Sequence, residues 1–321
     1  MSAAGPDLSI IIPSYNEESR LPATLERIAE YLADSGIKAE VLVVDDGSKD
    51  GSFKLASSYG PPVIALTKRN GGPASARNYG VHVSRGEWIG FLDADDAWLP
   101  HKLERQAGLI DSGVGLVHSK ARGGPLSVPD ELTFDQLWSR NVIVNSTALV
   151  RRAAFFQTGG FDPDPSLIGV EDYNLWLRIV AAGWRIRGFP EELCFYSPDS
   201  NSLSRQTLRF ASASFANVRK LAAQLQLSHE QLWEKELLLC DEFGFSCLSV
   251  RDMQNARKFL WEGLGRRFTA KRLSGLAATY VPKRVLDWRC FVISRWSKES
   301  CRPILARRST ERTRSVATSK P

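Results

Sequence analysis

"EWIGFLDADD" (Glu87–Asp96) runs a short buried-strand pattern directly into three carboxylates. Trp88, Ile89, Phe91 and Leu92 make a nearly continuous apolar run, the mark of a strand covered on both faces. Asp93, Asp95 and Asp96 then crowd into four positions. Like charges this close repel, and an unpaired carboxylate is costly to bury. Something positive must stand opposite them: a basic side chain, a helix N-terminus or a metal ion. On an extended strand end Asp93 and Asp95 would point the same way, about 6.6 Å apart at ~3.3 Å rise per residue. That spacing suits one hard, oxygen-ligated cation, Mg2+ or Mn2+. Taken alone, Asp-x-Asp is more often an acidic loop that caps the next helix.

Working outward, the same strand-then-acid pattern recurs. "LSIIIPSY" (8–15) and "EVLVVDDGS" (40–48) are buried-strand runs that end in Tyr15, Asn16 and Glu17, and in Asp45 and Asp46. Between them, Leu21, Leu25, Ile28 and Leu32 mark an amphipathic helix stopped by Gly36. "VIALT" (63–67) predicts a third strand and "PASARNYGVHVSRG" (73–86) a helix with Pro73 in its first turn. A helix over about 100–112 and a strand over 114–119 follow. Strand–helix alternation with short connections predicts an α/β fold, a mostly parallel sheet flanked by helices. Such sheets bind ligands beyond the carboxyl ends of their strands, where these polar groups converge. Further on, 141–164 offers a strand, a short helix and a Gly-Gly turn. "EDYNLWLRIVAAG" (171–183) is a helix with two acids in its first turn, and 184–197 reads as extended. From Arg205 the pattern is helical with no strand. The expected division is a domain over 1–204, a helical C-terminal region over 205–300 and a basic tail over 301–321.

Three local motifs carry chemistry. In "PSYNEE" (13–18) Pro13 shapes the strand end, Tyr15 can stack on a base, and Asn16 or Glu17 can accept from ribose hydroxyls; Asn16 equally suits a helix cap. "VVDDGS" (43–48) offers a carboxylate to a base N–H, or simply a turn. "NGGPASARN" (70–78) has small residues that let backbone approach a ligand, and Arg77 to meet phosphate. GxGxxG and GxxxxGK[ST] are both missing, so neither dinucleotide nor P-loop chemistry fits.

"SIIIPSYNEE", "VLVVDDGSKDGS", "NGGPASARNYGVHVSRGEWIGFLDADD" and "GVEDYNLWLRI", in this order and spacing, closely resemble the family 2 glycosyltransferases of the GT-A fold. The resemblance covers about residues 7–204. It implies an inverting transferase that takes a nucleotide-diphosphate sugar (UDP- or dTDP-type) with Mn2+ or Mg2+. It implies a hydroxyl on a glycan or lipid-linked acceptor of cell-envelope or exopolysaccharide synthesis. By resemblance, Pro13, Tyr15, Asn16, Glu17, Asp46, Arg77 and Asp93 line the nucleotide pocket, and Asp93 and Asp95 bind the metal. Asp172 matches the general base, with Glu171 beside it. A carboxylate in a helix's first turn is expected to have its pKa lowered by the dipole, which weakens it as a base. Family members often carry a His in the segment matching "YSPDSNSLSR" (196–205); here there is none, which shifts phosphate binding toward Ser204 or Arg205. A sugar-1-phosphate nucleotidyltransferase would need a G-x-G-x-R signature that is missing. A non-catalytic nucleotide-sugar binding module is disfavoured by the intact acids.

Composition bounds the rest. The chain has 321 residues and a formal charge of +6. From Arg266 to Pro321 there are 15 Lys/Arg against 3 Asp/Glu, so everything before is mildly acidic. An anionic partner is therefore expected for the tail alone, and nucleic acid is not expected as a partner. Leu273, Leu276, Tyr280, Trp288, Phe291 and Trp296 interleave with its basic residues. That pattern suits peripheral contact with an anionic membrane, or else helices packed on the catalytic domain. Five cysteines without CxxC read as reduced thiols. With no basic-then-apolar leader and no run near ~18 apolar residues, the expected location is cytoplasmic, peripheral on the membrane at most.

Overall fold

The computed structural model describes residues 6–196 and 207–282. Along the first part of the chain β1 (Leu8–Ser14), α1 (Leu21–Ser35), β2 (Ala39–Asp45), α2 (Ser52–Ser57), β3 (Val63–Thr67), α3 (Gly72–Val83) and β4 (Trp88–Phe91) alternate as the sequence predicts. They are followed by β5 (Ala97–Trp98), α4 (Lys102–Ala107), β6 (Val114–Arg122), β7 (Glu131–Leu132), α5 (Phe134–Ser139), β8 (Leu149–Arg151), α6 (Arg152–Gln157), α7 (Glu171–Ala181) and β9 (Arg185–Phe195). Four helices close the described chain: α8 (Thr207–Gln224), α9 (His229–Ser249), α10 (Met253–Arg266) and α11 (Ala270–Ala278).

The strands form one sheet in the order β3-β2-β1-β4-β8-β6-β9-β5, with β7 also paired to β9. The β3-β2-β1-β4 half is wholly parallel. β8 is inserted antiparallel to both β4 and β6, after which β6 and β9 run parallel. Most of the paired length is therefore parallel, and the fold is α/β with a helical C-terminal region. α4 is shorter than expected, because the chain leaves the helix at Gly108.

Strand burial explains the apolar runs. Along β1, Ile10 and Ile12 face the layer built with Leu21, Leu25, Ile28 and Leu32 of α1. Ile11 faces the other layer, with Ala74, Ala76 and Val81 of α3 and Leu175, Trp176 and Ile179 of α7. Alternate side chains thus meet helices on both sides, so no position along the strand can be polar without cost. α3 packs closely because Gly80 has no side chain: a Cβ there would lie 2.7 Å from Ile11 Cγ2 and 3.0 Å from Val44 Cγ2.

The C-terminal helices do not stand apart from the sheet. Ala211, Val218 and Leu221 of α8 and Leu239, Phe243 and Cys247 of α9 belong to the same core as α3 and α7. Asn174 Nδ2 of α7 donates to Asn217 Oδ1 of α8 at 2.7 Å, fully buried. α11 packs on α9 and α10, with Arg272 buried against Asp241 at 2.6 Å. Among the described residues Cys194, Cys240 and Cys247 are free and buried. The expected boundary near residue 204, Ser204 and Arg205, and everything from Lys283 onward, including the 301–321 tail, lie outside the described residues.

Candidate active site

The carboxyl ends of β1, β2 and β4 lie side by side, so the polar residues that follow these strands gather at one edge of the sheet. Pro13 sits two residues beyond the last β1–β4 pair, Ile11↔Phe91, so its missing N–H costs no ladder bond to β4. The segment after β1 is tied to the one after β2. Asn16, held at φ 56°, donates its N–H to Ser48 Oγ and accepts from Lys49 N on its own Oδ1, both at 2.9 Å. Glu17 N donates to Ser52 Oγ at 2.8 Å. Asn16 therefore links two loops rather than capping α1. The Tyr15 ring is left exposed at this rim. Glu17 is paired with Arg20 at 2.7 Å, yet burial still holds its carboxyl above the usual range.

Asp45 and Asp46 have separate jobs. Both Asp46 oxygens are filled: Lys68 Nζ at 2.7 Å, Gly71 N at 3.0 Å and Gly72 N at 2.7 Å. Gly72 meets it at φ 84°, a backbone conformation that favours glycine. Asp46 thus fixes the loop 68–72 and has little acceptor capacity for a base. Asp45 Oδ2 accepts from Ser48 N and Thr67 Oγ1, while its buried Oδ1 has no hydrogen-bond partner among the described residues. Of the two acids, Asp45 is the one with an acceptor to spare.

The "FLDADD" segment is a turn, not an extended strand end. β4 stops at Phe91, and Asp96 N donates to Asp93 O at 3.0 Å, directing the chain into β5. The alternate-residue geometry expected for Asp93 and Asp95 is therefore replaced by that of a tight turn. Thr24 Oγ1 on α1 holds Ala94 O at 2.7 Å, and Ser146 Oγ accepts from Asp93 N at 3.1 Å. The two acids remain partly exposed, Asp93 by 30% and Asp95 by 33% of their side chains.

The positive partner of Asp93 is Arg77. Its Nη2 lies 2.7 Å from Asp93 Oδ1 and its Nη1 2.9 Å from Glu171 Oε1, with the guanidinium 5.5 Å above the Phe161 ring. Burial opposes the charge on Arg77, but Asp93 and Glu171 outweigh it and hold the group firmly protonated. With both terminal nitrogens engaged and the side chain 7% exposed, Arg77 is placed to hold carboxylates rather than to reach a phosphate. Asp95 lies 3.8 Å from Arg20. Asn145 Nδ2 approaches Asp93 Oδ1 at 3.4 Å.

Across Arg77 stands the start of α7. Glu171 is committed, its second oxygen accepting from Gly169 N at 2.6 Å. Asp172 accepts from Tyr173 N at 2.6 Å, and burial, with Glu171 and Asp93 nearby, pushes its pKa up to about 7. The direction is opposite to the helix-terminus expectation: burial and the like charges of Glu171 and Asp93 outweigh the Tyr173 N–H and Arg77. Asp45, Asn145 and Ser146 belong to this site and were not singled out in the sequence. Asp45 stands with Asp46 at the end of the second strand, but the resemblance points to Asp46 alone. Asn145 and Ser146 lie in an unremarkable "VNST", more than fifty residues from Asp93.

Among the described residues no cluster of three or more His, Cys, Asp or Glu side chains is arranged to hold a metal alone. Asp93 and Asp95 offer carboxylate oxygens and nothing softer. That donor set fits a hard divalent cation whose remaining ligands come from a bound diphosphate or water.

Known proteins resemble this chain in sequence and in fold. Residues 9–129 match the family model "Glycosyl transferase family 2". An uncharacterized glycosyltransferase of Rickettsia typhi is 31% identical over 192 residues, covering 54% of this chain and 59% of its own. This chain thus spans about three-fifths of the length of the first curated relatives it matches, 59% and 62%. The putative teichuronic acid biosynthesis glycosyltransferase TuaG of Bacillus subtilis is 28% identical over 230 residues, covering 67% of this chain and 88% of its own. In fold, the mannosyltransferase PcManGT of Pyrobaculum calidifontis, solved with GDP-Man and Mn2+, superposes with a TM-score of 0.57 at 21% identity, covering 92% of this chain and 89% of its own. The α/β architecture is that of the GT-A fold.

Proposed function

This chain carries a family 2 glycosyltransferase domain, and from that premise we propose that it is an inverting transferase dependent on a divalent cation. It moves a sugar from a nucleotide-diphosphate sugar, UDP- or dTDP-type, to a hydroxyl of a cell-envelope glycan. One observation carries the reading. The buried Arg77 joins the partly exposed Asp93 to Glu171 in the first turn of α7, which brings the neighbouring Asp172 to the same end of the sheet. The teichuronic acid role in the Bacillus relative's name supports the acceptor class, and the GDP-Man and Mn2+ of the fold neighbour support a nucleotide sugar and a metal.

Each residue then has a stated task. Tyr15 stacks on the base, and Asp45 Oδ1 rather than the saturated Asp46 accepts from its N–H. Asp93 and Asp95 would hold Mn2+ or Mg2+ with the donor diphosphate. When bound, that cation supplies stabilisation of the negative charge growing on the leaving group. Asp172 takes the proton of the acceptor hydroxyl as its oxygen forms the new bond to the anomeric carbon. The bond from that carbon to the diphosphate breaks on the opposite face, its electron pair leaving with the nucleoside diphosphate. Glu171 positions rather than reacts, because both its oxygens are held by Arg77 and Gly169.

The test uses Asp172→Asn. Turnover should fall by at least ~10²-fold, the scale of losing a general base, while calorimetry shows nucleotide affinity unchanged. In the unaltered protein the rate should fall as pH drops through about 7, because only the ionised carboxylate accepts the proton. Equal losses in binding and rate would make Asp172 structural. Asp95→Ala should remove cation-dependent nucleotide binding while circular dichroism stays unchanged; nucleotide affinity that keeps its cation dependence would sink the metal assignment.

A further inference from the structure

Far from the strand ends, α10 and α11 expose large rings to water. On α10 the outward positions are Gln254, Lys258, Trp261 and Gly265, at helical spacings of 4, 3 and 4. On α11 they are Leu273 and Ala277, continued by Tyr280 just past its end. Trp261 is 67% exposed, Tyr280 68%, and Phe268 in the connection between the helices 70%. A single exposed ring needs no partner, but two that share one groove mark an interaction surface. Trp261 and Tyr280 border one groove, with Arg257, Lys258 and Leu276 along it.

The groove carries two cations, Arg257 and Lys258, and one acid, Glu262. The Arg257 guanidinium lies 4.3 Å over the Tyr280 ring, and Lys271 Nζ lies 4.9 Å over Phe245. Lys258 has no ion pair among the described residues. The acids nearby are already matched, Glu262 with Arg266 at 3.2 Å and Glu234 with Arg267. The chain leaves the described structure at Pro282, two residues past Tyr280, and its remaining 39 residues carry 11 Lys/Arg and 3 Asp/Glu. Everything before Arg266 is by contrast mildly acidic.

We propose that the α10–α11 face, with Trp261 and Tyr280 beside Arg257 and Lys258, seats on an anionic lipid bilayer. Amphipathic rings at the level of fixed cations are what a headgroup layer accepts: the rings enter the acyl boundary while the cations meet phosphate. The basic segment that follows adds attraction, screened by salt. No described helix is long and apolar enough to cross a membrane, so the contact is lateral. This surface shares no residue with the strand-end site, and the proposal does not rest on the proposed transferase activity.

Flotation of the full chain decides it. Vesicles of phosphatidylglycerol and phosphatidylcholine in equal parts should carry the protein upward at low salt, and vesicles of phosphatidylcholine alone should not. Trp261→Ser combined with Tyr280→Ser should leave most of the protein at the bottom, with circular dichroism and donor hydrolysis unchanged. Lys258→Glu should likewise lower the fraction that floats. If the unaltered protein fails to float, or if the ring-substituted protein floats like it, the proposal is wrong. In the second case basic residues alone would be attracting any polyanion, nucleic acid included.

Discussion

Arg77 is the one buried cation to which Asp93 and Glu171 are both bonded. Two carboxylates from segments far apart in the chain are held beside each other because its fork reaches both. Truncating one partner of a buried ion pair strands the others, typically at about 3–5 kcal/mol. Arg77→Met should therefore lower unfolding stability by roughly that amount in urea titration, and should weaken nucleotide binding through the freed Asp93. A stability loss under about 1 kcal/mol would mean that solvent, not Arg77, balances the acids. The residue types of the site were legible from the sequence, because each follows a strand or opens a helix. Their pairing was not: Arg77 and Glu171 are 94 positions apart, and only the fold brings them to 2.9 Å. The protonation behaviour of Asp172 was misread for the same reason, since burial is a property of tertiary packing.

At the scale of elements, the long apolar-periodic stretches were readable and the short ones were not. β1, β2, β3 and α1 appear where their patterns place them. β5 and β7, two residues each, have no period to read and exist because β9 offers them an edge. The antiparallel β8 has too few residues for the sequence to state its direction. The turn at Asp93–Asp96 is likewise set by bonds from Thr24 and Ser146 that no local pattern announces. One element contact makes a sharp prediction. α3 lies so near β1 and β2 that even a Cβ on Gly80 would press on Ile11 and Val44. Gly80→Val adds a branched side chain there, and overpacking costs about 1–3 kcal/mol. Its melting temperature should fall by several degrees; an unchanged or higher value would show that α3 can shift away freely.

The whole molecule is held by a core that crosses the expected domain boundary. Phe243 of α9 packs its ring 6.0 Å from Phe210 and 5.8 Å from Phe259, in the same cluster as Trp176 of α7 and Ile11 of β1. The helices after residue 207 and the sheet before residue 196 should therefore unfold together. Calorimetry should show a single transition, and Phe243→Ala, at about 3–5 kcal/mol, should lower it as a whole. A separate early melting of the helices would contradict this.

The loops bordering the proposed nucleotide pocket are stitched to one another before any ligand arrives: Asn16 to Ser48 and Lys49, Glu17 to Ser52, Asp46 to Gly71 and Gly72. A donor meeting such a wall spends little of its affinity on ordering the chain. Competing nucleotides would then arrive at similar rates and differ in how long they stay. Selectivity at this rim is a matter of residence time, read in dissociation rather than association.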